Sequence, residues 1–327
     1  MDNNNPFLID IEEKEEYTID DYINIHNQLK EKDIDPLLRE LYSYKNSFYD
    51  YADFKGRCTT GFRQKLIDET ALVLPEKNLY KIGNPSNSKN CIVCCTPFAR
   101  ENTEFDKNID SKSRYIASQQ IIKSLEEVGY NGHFYLFNGG FPNPSGKEMK
   151  YVGVPYCFKI FMMLEAKKLG FEKVIWIDSG CYAINNPQRL FDILDYQETV
   201  FLSLNGNNNY DAMVFQSTIN LLNLITDTNL HDASYVLTIV FGLNMKSEMI
   251  GRVIEEYYEM VEFGLPFLSI FPEEIVLTAL FNKPEYKHLI YYTAESTLLQ
   301  IHEKDKPMES AKMEGYYFLH RKYKESS

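Results

Sequence analysis

This 327-residue sequence has few of the features that mark several large protein classes. It contains a single tryptophan and six cysteines, and it has no run of about 18 apolar residues of the kind that spans a membrane. Residues 1–5 supply neither the basic start nor the apolar stretch of a secretory signal. Acidic residues outnumber basic residues by 47 to 34, and the formal net charge is −13. We therefore expect a cytoplasmic protein without a membrane span that does not bind nucleic acid.

Two kinds of ligand motif are also missing. There is no G-x-x-x-x-G-K-[ST] loop, and no G-x-G-x-x-G follows a predicted strand, so a glycine-rich cradle for phosphate is excluded. Cys91 and Cys94 form a C-x-x-C pair, but no second pair supplies the remaining ligands of a structural zinc site. We interpret the cysteines as buried, reduced thiols that act as small apolar residues.

The chain does contain enough apolar residues for a substantial core, because 44% of its residues are hydrophobic and 14% are aromatic. This length and composition suit one large domain, or one domain with an accessory segment. The stretch GNPSNS at 83–88 breaks regular structure. We predict a helical N-terminal accessory segment over residues 1–88 and an α/β domain over residues 89–327.

Beyond residue 88, strand-like and helix-like stretches alternate. Strands are predicted at 91–96, 133–137, 174–177, 199–204 and 235–242, and helices at 113–128, 158–169, 188–194, 248–263 and 271–280. This alternation favours a largely parallel sheet with right-handed crossovers.

The most informative stretch is the helix and strand over residues 158–180. The apolar run VIWI at 174–177 is too short for a helix and predicts a strand buried on both faces. Asp178, Ser179 and Gly180 follow at its carboxyl end, where open α/β sheets bind ligands. The same three residues also make a favourable turn, so a ligand site and a plain turn are both open interpretations.

The stretch KKLGFEKVIWIDSG, followed by NNPQRLF, resembles the core of glycosyltransferases with the GT-A nucleotide-sugar fold. In that superfamily an acidic D-x-D motif ends a central strand and holds a divalent metal against the diphosphate of the sugar donor. Here the motif reads Asp178-Ser179-Gly180, so the second acidic residue is missing. The resemblance implies a GT-A-like α/β fold with a mixed, mostly parallel central sheet flanked by helices and an N-terminal helical extension.

The resemblance also implies which residues bind the donor. The end of the first strand contacts the nucleotide base in this family, which points to Thr96, Pro97 and Phe98, with Arg100 near enough to assist. Lys159 is similar to the basic residue on the helix before the acidic motif, although a solvated helix lysine explains it equally well.

The FGLN sequence at 241–244 is similar to the acceptor-side unit of the family, which adds Gly242 and Asn244 to the donor-binding residues. A glycine there lets a sugar approach the backbone. Asp178, Ser179 and Gly180 complete this predicted set.

Two glutamates begin the predicted helix at 271–280. Glu273 and Glu274 resemble the start of the D-Q-x-x-L-x-x-L helix of the family, with Glu273 in place of Asp and Glu274 in place of Gln. On local sequence alone, a favourable interaction with the helix dipole is the preferred explanation. Asp178, Glu273 and Glu274 are the candidate catalytic residues. If the reaction inverts the anomeric centre, Glu273 or Glu274 is the candidate general base. If it retains configuration, as the glycogenin-like resemblance favours, no base is required.

Two histidines near the end of the sequence are candidate metal ligands. The sequence after His302 resembles the closing motif of glycogenin-like transferases, and His320 follows an aromatic run. We favour His320 as the partner of Asp178 in binding Mn²⁺ or Mg²⁺. Arg321 and Lys322 are further candidate cations for the phosphates.

The sequence therefore predicts a glycosyltransferase of the hexosyltransferase type. It would move a sugar from a nucleotide-diphosphate donor, with a UDP-sugar favoured, to a hydroxyl group of a carbohydrate or protein, and a divalent cation would stabilise the leaving diphosphate. Two alternatives stay open. One is a GT-A-like protein that binds a nucleotide sugar without catalysis or without a metal, and the other is a doubly wound nucleotide-binding protein of another class.

Overall fold

The structure of the chain is a computed structural model. It describes residues 5–8, 11–12, 14, 18–32, 35–42, 76–96, 109–138, 151, 153–202, 214–269, 271–293, 298–300, 308–313 and 315–320. The predictions for Cys58, Pro97, Phe98, Arg100, His302, Arg321 and Lys322 lie outside these residues.

The described helices agree well with the helical patterns in the sequence. In chain order they are α1 (Ile19–Glu31), α2 (Asp35–Tyr42), α3 (Ile109–Glu127), α4 (Phe158–Lys168), α5 (Gln188–Ile193), α6 (Gln216–Thr226), α7 (Glu248–Phe263), α8 (Pro272–Phe281) and α9 (Met308–Met313). The sequence patterns do not predict α6 or α9. None of the helices in the described part of the chain has both the length and the apolar character that crossing a membrane requires.

The described strands include several short ones that the sequence does not reveal. In chain order they are β1 (Glu76–Ile82), β2 (Asn90–Thr96), β3 (Gly132–Asn138), β4 (Lys173–Ile177), β5 (Cys181–Ala183), β6 (Thr199–Leu202), β7 (Leu237–Asn244), β8 (Leu298–Gln300) and β9 (Phe318–His320). Strands β1, β5, β8 and β9 are the additions to the predicted set.

Six strands form the central sheet in the order β1-β3-β2-β4-β7-β6. Strands β3, β2 and β4 are parallel to one another. Strand β1 is antiparallel to β3, and β7 is antiparallel to both of its neighbours, β4 and β6. Strands β2, β3, β4 and β6 therefore run in one direction, against β1 and β7. This is the mixed, mostly parallel α/β sheet that the sequence predicts.

A second, smaller sheet lies next to the carboxyl end of β4. Its order is β5-β9-β8, with β9 antiparallel to β5 and parallel to β8. Strand β5 begins three residues after Asp178, and its Cys181 pairs with His320 of β9. The small sheet thus brings residues from the end of the sequence to the strand that carries the predicted acidic motif.

The central sheet has an apolar core on each of its faces. Val174 and Trp176 belong to one cluster of buried side chains, and Ile175 and Ile177 belong to the other. All four side chains are at most 1% exposed. The alternation follows from strand geometry, since successive side chains point to opposite faces, and it confirms that the VIWI run is buried on both sides.

The same geometry separates the two cysteines of the C-x-x-C pair. Cys91 lies in the cluster with Trp176, whereas Cys94 lies in the cluster with Ile175. Both are free and buried, and burial raises the pKa of each thiol well above its usual range. Because the sheet stands between their side chains, these cysteines cannot bind one metal ion together, and they act as apolar core residues.

The N-terminal residues share the core of the sheet. Phe7, Ile25 and Leu38 are at most 2% exposed and belong to the cluster that contains Trp176. Strand β1, which also precedes residue 88, pairs with β3 along the edge of the central sheet. Its sequence, EKNLYKI, is mostly exposed, so polar residues conceal the strand from a pattern search. The division of the chain at residue 88 stays a prediction.

Candidate functional site

Asp178 lies at the rim of the central sheet, immediately after β4. Its backbone N–H donates to the carbonyl of Ile239 at 2.9 Å, which continues the pairing of β4 with β7 by one residue. The N–H of Cys181 donates to the carbonyl of Asp178 at 2.9 Å and closes the turn that contains Ser179 and Gly180. The side chain of Asp178 is 29% exposed. The turn is therefore present, and it places this carboxylate at the carboxyl end of the strand, where open α/β sheets bind ligands. The ligand site itself stays a prediction.

One oxygen of the Asp178 carboxylate is held by two donors. Oδ1 accepts a hydrogen bond from the indole Nε1 of Trp176 at 2.7 Å and lies 3.1 Å from Nζ of Lys159. Trp176 and Asp178 are two residues apart on an extended chain, so their side chains leave the backbone on the same side. Oδ2 has no hydrogen-bond partner among the residues that the structure describes. The carboxylate is thus oriented through Oδ1, and its side chain remains 29% exposed.

Lys159 is a buried cation and not a solvated helix lysine. It lies in the first turn of α4 and is only 4% exposed. Its Nζ lies 2.7 Å from Glu273 Oε1, donates to the carbonyl of Thr238 at 3.1 Å, and lies 5.6 Å from the centroid of the Trp176 ring. Burial lowers the pKa of Lys159, but the charges of Asp178 and Glu273 outweigh burial and raise the pKa above its usual range. The ammonium therefore stays charged and ties α4 to β4 and α8.

The two glutamates at the start of α8 lie beside Lys159 and Thr238. Glu273 and Glu274 are 4% and 5% exposed. Glu273 pairs with Lys159, and Oε2 of Glu274 accepts from the backbone N–H of Thr238 at 3.0 Å. Burial raises the pKa of Glu274 to about 7, although the Thr238 N–H and the charge of Lys159 oppose the shift. A favourable position in the helix dipole does not by itself account for two buried carboxyl groups with these partners.

Sequence reasoning misses Thr238, which contacts Lys159, Glu273 and Glu274. It lies near the start of β7, and its side chain is 0% exposed. The signal that was available is its polarity within the apolar strand sequence LTIVFGLN. Its proximity to Asp178 depends on β7 being antiparallel to β4, a fact that the sequence does not supply.

The direction of β7 also corrects the predicted grouping of Gly242 and Asn244 with Asp178. Val240 pairs with Ile177 beside Asp178, but Asn244 pairs with Lys173 at the other end of β4. Four residues of strand correspond to about 13 Å. The prediction groups these residues because FGLN resembles the acceptor-side unit of the family, and that resemblance does not fix the direction of the strand.

Gly242 and Asn244 have structural roles where they lie. A Cβ atom on Gly242 would meet Leu194 at 3.1 Å and Ile175 at 3.2 Å, so this glycine allows close packing within the sheet. The side-chain amide of Asn244 donates to the carbonyl of Leu194 at 3.1 Å, and its Oδ1 accepts from the N–H of Lys246 at 3.1 Å. We therefore leave both residues out of the donor site.

Thr96 and His320 lie at the same end of the sheet as Asp178. Thr96 ends β2, which is parallel to β4, and its hydroxyl donates to the carbonyl of Phe137 at 3.2 Å and bonds to the side chain of Asn138. His320 is half-buried at the end of β9, paired with Cys181. Thr96 therefore lies at the carboxyl end of β2, and His320 lies in the small sheet beside Cys181. Their roles in binding a donor and a metal stay predictions.

The described residues suit a metal ion that arrives with its substrate. Within the described ranges there is no group of three or more His, Cys, Asp or Glu side chains able to hold a metal. Mg²⁺ and similar hard cations are commonly bound by one or two carboxylates together with substrate phosphates and water. A single carboxylate at the end of a strand, such as Asp178, fits this second arrangement and does not fit a metal site made by protein ligands alone.

Comparison with known sequences gives no match. No protein-family model matches the chain, and no curated protein sequence matches it.

Several solved structures are similar to the chain. Mouse xyloside xylosyltransferase 1 in its apo form is 11% identical, with 64% of this chain and 73% of that chain covered and a TM-score of 0.31. A glycosyltransferase involved in the glycosylation of the major capsid of PBCV-1 is 12% identical, with 71% and 91% covered and a TM-score of 0.36. The galactosyltransferase LgtC, in complex with donor and acceptor sugar analogs, is 12% identical, with 70% and 86% covered and a TM-score of 0.35.

All three of these proteins are glycosyltransferases, the class that the sequence resemblance implies. Because each TM-score is below 0.5, the likeness carries no argument about activity, and a functional conclusion has to rest on the geometry of the chain itself.

Proposed function

We propose that this chain is a glycosyltransferase that moves a sugar from a nucleotide-diphosphate donor to a hydroxyl acceptor. The observation that carries the proposal is the buried ion-pair cluster of Lys159, Asp178 and Glu273 at the carboxyl end of β4. Within it, the side chain of Asp178 is 29% exposed at the rim of the sheet, which is where α/β sheets bind their ligands. A purely structural ion pair has no need of that exposure.

The charge of the cluster supports metal assistance. Lys159 contributes one positive charge against the two carboxylates of Asp178 and Glu273. A diphosphate that approaches Asp178 therefore requires further positive charge. In this proposal Asp178 and His320 would hold Mn²⁺ or Mg²⁺ together with the donor, and the cation would supply Lewis-acid stabilisation of the leaving diphosphate. Arg100, Arg321 and Lys322 are proposed as additional cations for the phosphates.

Lys159 and Trp176 prepare Asp178 for this role before any ligand binds. The Trp176 indole donates to Oδ1 and the Lys159 ammonium lies 3.1 Å from it, so the carboxylate does not have to reorient when the donor arrives. A fixed charge in a partly buried site acts more strongly than the same charge in water, and its orientation costs nothing at the moment of reaction. Around it, Thr96, Pro97, Phe98, Ser179 and Gly180 are the proposed contacts for the rest of the donor, with a UDP-sugar favoured.

The acceptor step depends on stereochemistry. If the reaction inverts the anomeric centre, a carboxylate must take a proton from the acceptor hydroxyl. Glu274 suits this step better than Glu273, because its pKa of about 7 lies near neutral pH, whereas Glu273 is engaged at 2.7 Å by Lys159. If the reaction retains configuration, no such base is required.

A second candidate function is a protein that binds a nucleotide sugar without turning it over. The missing second acidic residue after Asp178 favours this second function.

A donor-hydrolysis and transfer assay separates the two functions. The purified chain is incubated with a panel of UDP-sugars and acceptors, with Mn²⁺ or with a chelator, and the release of UDP is measured. We expect release with Mn²⁺ and a loss of about 100-fold or more in Asp178→Asn, the size typical of removing one charge-stabilising group. Tight donor binding without UDP release for any acceptor supports the binding protein instead.

Asp195→Asn is the matched control. Asp195 forms a similar contact, 2.6 Å from Nζ of Lys173, at the other end of β4 and with 52% exposure. Its replacement should leave UDP release unchanged. If Asp178→Asn also leaves release unchanged, Asp178 is not part of the reaction and the proposal is wrong.

A further inference from the structure

Thr238 lies at the centre of the buried polar contacts between β7, α4 and α8. Its hydroxyl Oγ1 lies 2.9 Å from Glu273 Oε1 and 3.1 Å from Glu274 Oε2, and it accepts from Nζ of Lys159 at 3.3 Å. Its backbone N–H donates to the same Oε2 of Glu274 at 3.0 Å. The Thr238 side chain is 0% exposed, so water does not substitute for any of these contacts.

The two contacts between this hydroxyl and the carboxyl oxygens need two protons. A threonine hydroxyl carries one proton, and an ionised carboxylate carries none. If both glutamates were ionised, one of the short O···O contacts would have no proton between its oxygens, and lone pairs would face each other in a buried site. The Lys159 ammonium donates to Oγ1 itself, so it supplies no proton between Oγ1 and a carboxyl oxygen. A second proton therefore belongs on one of the two carboxyl groups.

Glu274 is the carboxyl group that suits this proton. Glu273 Oε1 lies 2.7 Å from Nζ of Lys159, and a direct ion pair favours the ionised form. Glu274 makes no ion pair with any residue in the described part of the chain, and its hydrogen-bond donors there all belong to Thr238. Burial also favours the neutral form and raises the pKa of Glu274 to about 7.

We propose that Thr238 is a positioning residue of the site, which holds Glu274 as a neutral carboxylic acid beside the ion pairs of Lys159. The hydroxyl proton of Thr238 points to Glu273, and the proton of Glu274 points to the Thr238 oxygen. As a role in sugar transfer this inference rests on the proposed function, whereas the protonation of Glu274 is independent of it.

The proton on Glu274 changes the charge that a donor meets. With Glu274 neutral, the cluster contains one cation and two carboxylates; with Glu274 ionised, it contains one cation and three. A diphosphate is repelled more strongly by the second state. We therefore expect donor binding to weaken as Glu274 loses its proton, and Glu274 to act as a base only above that transition.

Three other titratable groups in this region, Lys159, Cys157 and Tyr257, keep their protons near neutral pH because the pKa of each is raised. Lys159 from α4 stays protonated, since its pKa is raised, and Asp178 at the end of β4 acts on Glu274 as a negative charge. Cys157 and Tyr257 lie near Glu273, and burial, reinforced by the charge of Glu273, raises the pKa of both well above its usual range. A titration of this cluster near neutral pH is thus that of Glu274.

The test is a pH titration of the side-chain carboxyl groups by ¹³C NMR, in glutamate-labelled protein without any ligand. Glu274→Gln identifies the Glu274 signal by its loss. We expect a midpoint near 7 in the wild-type chain. In Thr238→Val, which keeps the shape of the side chain and lacks the hydroxyl, the midpoint should move about one pH unit lower, because the neutral form loses the acceptor of its proton in a buried site. Thr238→Ser should return it to the wild-type value.

Thr226→Val is the matched control, because Thr226 is also buried and its hydroxyl donates to the carbonyl of Leu222 at 2.8 Å, away from the site. It should leave the Glu274 midpoint unchanged. If Thr238→Val does not fold, Thr238→Ala takes its place.

A Glu274 signal with the ordinary midpoint of a glutamate overturns the inference, and so does an equal midpoint with and without the Thr238 hydroxyl. The expected titration without any turnover of nucleotide sugars overturns the proposed function alone.

Discussion

Lys159 and Glu273 come from different helices, yet Nζ of one lies 2.7 Å from Oε1 of the other, with both side chains 5% exposed. Two opposite charges are removed from water at this point, and each is compensated by the other. The same ammonium lies 3.1 Å from Asp178. A single buried cation thus fixes the positions of two carboxylates around the end of β4, and the predictions below test what depends on it.

Replacing Lys159 with Met should destabilise the protein by about 3–5 kcal/mol, because it leaves buried negative charge without a partner. The free energy of unfolding in urea measures the loss. Lys173→Met is the control: Lys173 pairs with the half-exposed Asp195, and removing such a pair should cost at most about 1 kcal/mol. Equal losses in the two variants would contradict the role of Lys159 as the cation of the buried cluster.

The stability of the protein should depend on pH through Glu274. Its pKa is raised from 4.5 to about 7 on folding, so the folded state binds this proton more tightly than the unfolded state does. The resulting stability is fully present below pH 4.5 and is lost as pH rises through about 7. A shift of this size corresponds to a change on the order of 3 kcal/mol.

Glu274→Gln removes that dependence. The variant should be more stable than the wild-type chain at pH 8, and this advantage should shrink towards pH 5. Thermal unfolding of both proteins across this range provides the measurement, and a difference that stays constant with pH would show that Glu274 does not titrate.

The tryptophan fluorescence of the protein should report ligand binding at the site. Trp176 is the single tryptophan of the sequence, and its indole N–H donates to Asp178 Oδ1 at 2.7 Å. A nucleotide diphosphate with Mn²⁺ at Asp178 changes the field at this ring, so titration should change the emission. Asp178→Asn should weaken the response to UDP and Mn²⁺, and Asp195→Asn should preserve it. A response that is unaffected by Asp178→Asn would place the ligand elsewhere.

Replacing Gly242 with Ala should affect stability and not the chemistry of the site. The added Cβ would contact Leu194 and Ile175 at 3.1 and 3.2 Å, and overpacking of this kind costs about 1–3 kcal/mol. Urea unfolding should show this loss, while the KM for the sugar donor stays at its wild-type value. A raised KM with unchanged stability would return Gly242 to the donor site.

Phe7 tests whether the N-terminal segment is an accessory to the domain. Its side chain is 1% exposed in the core that contains Trp176. Phe7→Ala should therefore lower the free energy of unfolding of the whole domain by about 3–5 kcal/mol. The fluorescence of Trp176 reports the unfolding of the domain core that contains it. An unfolding curve of Trp176 that is unchanged in this variant would favour an independent accessory segment.

Much of the secondary structure could be predicted because the signals are local. The helix α4 and the strand β4 follow from apolar periodicity and from a glycine at the position of the helix C-cap, Gly170, whose φ is 91°. Strands β5, β8 and β9 have only three residues each, too few for a period to be recognised. Strand β1 lies at an edge, where exposure permits a polar sequence.

The sequence by itself determined that Asp178 follows a buried strand and that two glutamates begin a helix, because chain order and apolar patterning are properties of adjacent residues. Only the tertiary structure decided that these residues meet at Lys159, that Thr238 joins them, that Gly242 pairs with the middle of β4, and that Asn244 pairs with its other end. The physical reason is the direction of β7: antiparallel pairing places the start of that strand beside Asp178, and the residue pattern of a strand is the same in either direction.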